Sequence, residues 1–146
     1  MIGFNRSQVV GAEFPGEGTV RFTGIQEDHI YGLEILMEVR ISDGCIKSIE
    51  GRMKRYTNFV CPQAVPVLQA AVGLNLRAPG WDAEVMREIG RKGCEHFAEI
   101  VIECGRSFSQ ALASRDLAKA LQEDPALDQQ RFVDAWYENR GRAAGA

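Results

Sequence analysis

Gly93-Cys94-Glu95-His96-Phe97-Ala98-Glu99 places a thiol, an imidazole and a carboxylate within six positions of one another. A thiolate and an imidazole are common ligands of zinc and other soft metals, and the same pair can act as nucleophile and base. A second thiol, Cys61, stands directly before Pro62. Both cysteines fall where helices are expected to begin. A thiol there meets unpaired backbone N–H groups and the positive end of the helix dipole, which favour the thiolate. Cys45 follows a hairpin turn and Cys104 lies in an apolar stripe, so these two read as packing residues.

Spacing decides what Cys94 and His96 can do together. Two residues apart on a helix, side chains diverge by about 200°. The pair can share a ligand only if Cys94 is a cap outside the regular helix. If Cys94 is helical, it lies with Ala98 and Val101 on the buried stripe, and His96 shares the outer face with Glu99 and Glu103. Neither C-x-x-C nor H-x-x-x-H occurs in the chain. A metal site would therefore draw on Cys61, Cys94 and His96 together, with His29, Asp28 or water as a fourth ligand. Zinc or an iron–sulfur cluster would suit such a set. Gly90-Arg91-Lys92-Gly93 lacks the spacing of a phosphate loop.

The elements that must position these residues read as an α+β fold. Leu33, Ile35, Met37, Val39 and Ile41 alternate with Glu34, Glu38 and Arg40, the pattern of a strand with one buried face. Asp43-Gly44 then predicts a hairpin. A bulge near Lys47 would let the return strand face Ile49 with Val39, Gly51 with Met37 and Met53 with Ile35. With an edge strand over residues 19–25, this gives a sheet of about three antiparallel strands that needs a cover. Helices over residues 63–72, 81–89 and 94–115 supply it, the last carrying Phe97, Ile100, Val101, Cys104, Phe108, Ala111 and Leu112. A further helix over residues 127–139 carries Phe132, Val133 and Trp136, an apolar edge for docking on the domain, a second copy or a protein partner. The expected organisation is one domain over residues 1–115 and a helical tail over 116–146.

Bulk composition bounds the function. Of 146 residues, 45% are hydrophobic and 25% charged, as in ordinary soluble domains. A net charge of -3 gives no electrostatic case for nucleic acid or an anionic membrane. No apolar run reaches the ~20 residues of a membrane-spanning helix. Residues 1–6 lack the apolar stretch of a signal peptide, so a cytoplasmic protein with four reduced cysteines is expected.

Val39-Arg40-Ile41-x-Asp43-Gly44-x-Ile46, Cys61-Pro62, Gly73-Leu74-Asn75-Leu76, Gly80-Trp81 with Val85 and Ile89-Gly90, and Gly93-Cys94-x-His96-x-x-Glu99 together resemble DUF2889, a bacterial family of unknown function. The resemblance covers roughly residues 5–111 and implies that Cys61, Cys94, His96 and Glu99 are family motif positions. The order Asp43-Gly44, Ile46, Cys61, Cys94 is also similar to the layout of U-type iron–sulfur scaffold proteins. It departs from that layout where Asn58-Phe59-Val60 precedes Cys61, where no cysteine separates Cys61 from Cys94, and where His96 follows the late cysteine. Three functions are open: a metal- or cluster-binding accessory protein using Cys61, Cys94 and His96; a non-catalytic binding module or accessory subunit with structural cysteines; and a thiol-dependent enzyme using Cys61 or Cys94 with His96 as base.

Overall fold

The computed structural model describes Met1 and residues 3–144. The chain divides into two compact units, Met1–Arg106 and Ser107–Ala146.

In the first unit the alternating apolar residues build strand β3, Gly32–Arg40, and bury Leu33, Ile35, Met37 and Val39. With β1 (Arg6–Gly16), β2 (Thr19–Asp28) and β4 (Ile46–Arg55) it forms an antiparallel sheet in the order β1-β2-β3-β4. The sheet thus has one strand more than expected, and β2 is interior rather than an edge. The reason is visible in β1: nine of its 11 residues are exposed, so it carries no buried-face alternation to read.

Gly44, at φ +75°, closes the β3–β4 turn while the Asp43 carboxylate accepts the Cys45 N–H at 3.0 Å. Val39 faces Ile46 and Glu38 faces Ser48, so the bulge falls at Lys47 as predicted. The register around it differs. Ile49 faces Met37, Gly51 faces Ile35 and Met53 faces Leu33, each two residues from the predicted partner. β3 ends at Arg40, so Ile41 and Ser42 belong to a longer turn instead of continuing the ladder.

The helix expected over residues 63–72 is present as a 3₁₀ helix over Cys61–Ala71. Pro66 lacks an N–H and its ring crowds the carbonyl four residues back, which disfavours the α-helical ladder. Gly73, at φ +90°, follows its end. Helix α1 (Trp81–Val85) does not stop at Gly90 but runs into a π-helical turn, Met86–Arg91. Helix α2 (Glu95–Arg106) then covers β2 and β3 with Phe97, Ile100, Val101 and Cys104, all buried. Gly24 permits that approach: a Cβ there would meet Ile100 Cγ1 and Cys104 Sγ, each at 2.8 Å.

The second unit holds α3 (Phe108–Glu123) and α4 (Gln129–Ala144). The stripe expected as one helix therefore falls in α2 and α3, with Ser107 outside both. Asp128 caps α4: its carboxylate accepts the Arg131 N–H at 3.1 Å and its carbonyl the Phe132 N–H at 3.0 Å. Trp136 Nε1 donates to Asp116 Oδ2 at 2.8 Å, and the Arg140 guanidinium lies 4.3 Å from the Trp136 ring centre. No helix among the described residues is long and apolar enough to cross a membrane.

Candidate functional site: a recess with two thiols and an imidazole

Cys94 stands one residue before α2, and its carbonyl accepts the Ala98 N–H at 3.1 Å. It is therefore the cap residue, not a member of the regular helix. Its own N–H donates to the Ile89 carbonyl at 3.0 Å, a five-residue closure that continues the preceding π turn. This placement frees the side chain from helical spacing. Cys94 Sγ comes within 3.7 Å of His96 Nδ1, so the cap arrangement is the one this chain adopts.

Cys61 opens the 3₁₀ segment and lines the same recess, about 440 Å³, whose walls also include Tyr31, Asn58, Lys92, Cys94 and His96. Elements distant in sequence are thus brought to one place: the β2–β3 connection, the start of the 3₁₀ segment and the start of α2. The two thiols differ in character. The Thr57 hydroxyl, 3.6 Å from Cys61 Sγ, together with the backbone at Asn58, holds the Cys61 thiol below its ordinary value. Burial pushes the Cys94 thiol up, against the backbone N–H groups of Phe97 and His96, and a charge on Cys61 pushes it further. The favourable cap position thus does not make Cys94 the more acidic thiol.

His96 is held on its other side by Tyr31, whose ring centre lies 4.1 Å away with the planes 32° apart. Glu99 does not orient it. That carboxylate accepts from Gln26 Nε2 at 3.4 Å and pairs with Arg6 at 3.8 Å. It ties α2 to the buried polar end of β2, where Gln26 is 1% exposed. The motif glutamate therefore anchors α2 on β1 and β2.

The other ligand candidates lie elsewhere. Asp28 Oδ1 accepts the backbone N–H groups of Ile30 and Tyr31 at 2.7 and 2.6 Å, and its other oxygen meets Arg6. His29 packs edge-on against Phe4, ring centres 5.6 Å apart, in a separate cleft. Cys45 bridges to Asn75, and Cys104 is wholly buried, its thiol pushed up to about 12 by burial. Among the described residues, no three His, Cys, Asp or Glu side chains group closely enough to hold a metal ion. Cys94 and His96 supply two donors, and Cys61 shares their recess without completing such a group.

Sequence spacing did not point to Tyr31 or Thr57. Their hydroxyls lie 3.2 Å apart although the residues are 26 positions apart in the chain. A family model described as "Protein of unknown function (DUF2889)" matches residues 16–110, a span that contains Cys61, Cys94, His96 and Glu99. No curated protein and no solved structure matches the chain.

Proposed function

This chain belongs to the DUF2889 family, and we propose that its recess binds a soft metal ion, making it a metal-binding accessory protein. The observation that carries the reading is the 3.7 Å between Cys94 Sγ and His96 Nδ1. Bonds of about 2.3 Å to sulfur and 2.0–2.1 Å to nitrogen at a tetrahedral angle put two such donors about 3.5 Å apart. The pair is therefore spaced as two ligands of one ion would be. Cys61 is the third ligand in this reading: it stands at the edge of the irregular stretch 56–60 and faces the same recess. A thiolate is the ligating form, and the Thr57 contact favours it at Cys61.

Protein purified without oxygen should carry zinc or iron, close to one equivalent or as a small cluster with acid-labile sulfide. Cys61→Ser, Cys94→Ser and His96→Ala should each lower that content while remaining folded. Wild-type protein that carries neither metal, and takes up neither on reconstitution, refutes the reading.

A second reading is favoured by the unequal thiols. Cys61 is the more acidic and the less buried, which suits a reactive thiol with Cys94 as its neighbour. It predicts a metal-free protein whose Cys61 outreacts a model thiol at neutral pH.

A further inference from the structure

We propose that Tyr31 is a positioning residue joining the two halves of the recess, its ring setting His96 and its hydroxyl, through Thr57, setting Cys61. The inference rests on reading this recess as the functional site.

Three observations support it. Tyr31 is fixed before it reaches the recess: its N–H donates to Asp28 Oδ1 at 2.6 Å, and its carbonyl accepts from Arg55 at 3.0 Å. Asp28 is in turn held by Arg6, with contacts of 3.2 and 3.3 Å. The side chain then makes two contacts with different partners. Its ring stacks on His96 at 4.1 Å, and its hydroxyl lies 3.2 Å from Thr57 Oγ1, itself 3.6 Å from Cys61 Sγ. If Tyr31 donates to Thr57, the Thr57 hydroxyl hydrogen is directed at the Cys61 sulfur, which fixes the side chains on both sides of that contact.

The path thus runs Cys61, Thr57, Tyr31, His96, Cys94, with no carboxylate in it. Glu99 is turned to Gln26 and Arg6, so the histidine is oriented by an aromatic face instead of an acid. A ring stacked on an imidazole fixes its plane without competing for its nitrogens, one of which faces Cys94 Sγ.

The test uses full-length protein in the metal-free state. Tyr31→Phe keeps the ring and removes the hydroxyl, while Tyr31→Leu removes both. Alkylation at fixed neutral pH, mapped to Cys61 by mass spectrometry, should change in rate by about threefold in Tyr31→Phe, because the Thr57 hydroxyl beside Cys61 loses the partner that orients it. The His96 ring-proton shifts should stay as in wild type in Tyr31→Phe and move toward free-histidine values in Tyr31→Leu. If Tyr31→Leu does not fold, cross-relaxation between the Tyr31 and His96 rings in the wild type takes its place and should be observed. Where zinc binds, Tyr31→Leu should weaken it about tenfold, as outer-shell changes commonly do. An unchanged Cys61 rate in Tyr31→Phe, or His96 shifts indifferent to loss of the ring, overturns the proposal. Both decisive readouts come from apo protein, so a wild type that takes no metal would sink the metal reading and still decide the role of Tyr31.

Discussion

Four cysteines of one chain have four environments, and environment governs what each thiol can do. Cys104 is sealed in the core with its thiol pushed up to about 12, so it behaves as a small apolar side chain. Cys94 is half-buried and raised by that burial, whereas Cys61 is lowered by Thr57 and Asn58. Alkylation of native metal-free protein should therefore label Cys61 first, Cys94 more slowly and Cys104 only on unfolding. Time-resolved mass mapping reads that order, and early labelling of Cys104 would contradict it. The distinction between Cys61 and Cys104 was legible from their positions in the sequence. The order of Cys61 and Cys94 was not, because the same helix-start argument applied to both. What separates them is desolvation at Cys94 and a hydroxyl that reaches Cys61, and local spacing reports neither. Tyr31 was missed for a similar reason: its contacts join segments that only the folded sheet brings together.

At the scale of elements, the sequence was most readable where one face is buried. The β3 alternation, the Asp43-Gly44 turn and the bulge at Lys47 all follow from local rules. Exposed β1 and the proline-bearing segment Cys61–Ala71 do not advertise their form in the same way. The cap at Cys94 depends on the π turn before it, since the Cys94 N–H closes on Ile89. Had α2 begun one turn earlier, Cys94 and His96 would point apart by helical geometry. The 3₁₀ segment that carries Cys61 is seated on β4 through a close approach at Gly51, where a Cβ would collide with Leu68 Cδ1 and lie 3.1 Å from Phe97. Gly51→Ala should consequently destabilise the protein by about 1–3 kcal/mol, the range for overpacking a filled core. Denaturant unfolding measures this, and an unchanged midpoint would show that Leu68 yields freely. The same variant should disturb the Cys61 wall of the recess before the Cys94 wall.

For the molecule as a whole, the α+β class expected from the sequence is present, with α2 and the 3₁₀ segment laid on the antiparallel sheet of the first unit. Acid should loosen it in a definite direction. Asp28 is lowered to about 2, first by the Tyr31 N–H and then by Ile30 and Arg6 against the cost of burial. Glu34, Asp43, Glu88 and Asp116 are lowered as well. A carboxylate depressed in the folded state contributes stability above its unfolded value and loses that contribution as pH falls through its folded value. For Asp28 the window runs from 3.8 down to about 2. The thermal midpoint should fall through that window, and Asp28→Asn should flatten the dependence while lowering the plateau. A midpoint that rises on acidification would contradict the assignment. Because Asp28 also fixes the Tyr31 backbone, the same acid range should disorder the recess.

The most direct measurement of the central claim is X-ray absorption at the metal edge of anaerobically purified, full-length protein. The account predicts a shell containing sulfur at about 2.3 Å and nitrogen at about 2.0 Å, with the sulfur contribution reduced in both Cys61→Ser and Cys94→Ser. A shell of oxygen and nitrogen alone, or a protein that retains no metal to measure, would contradict it.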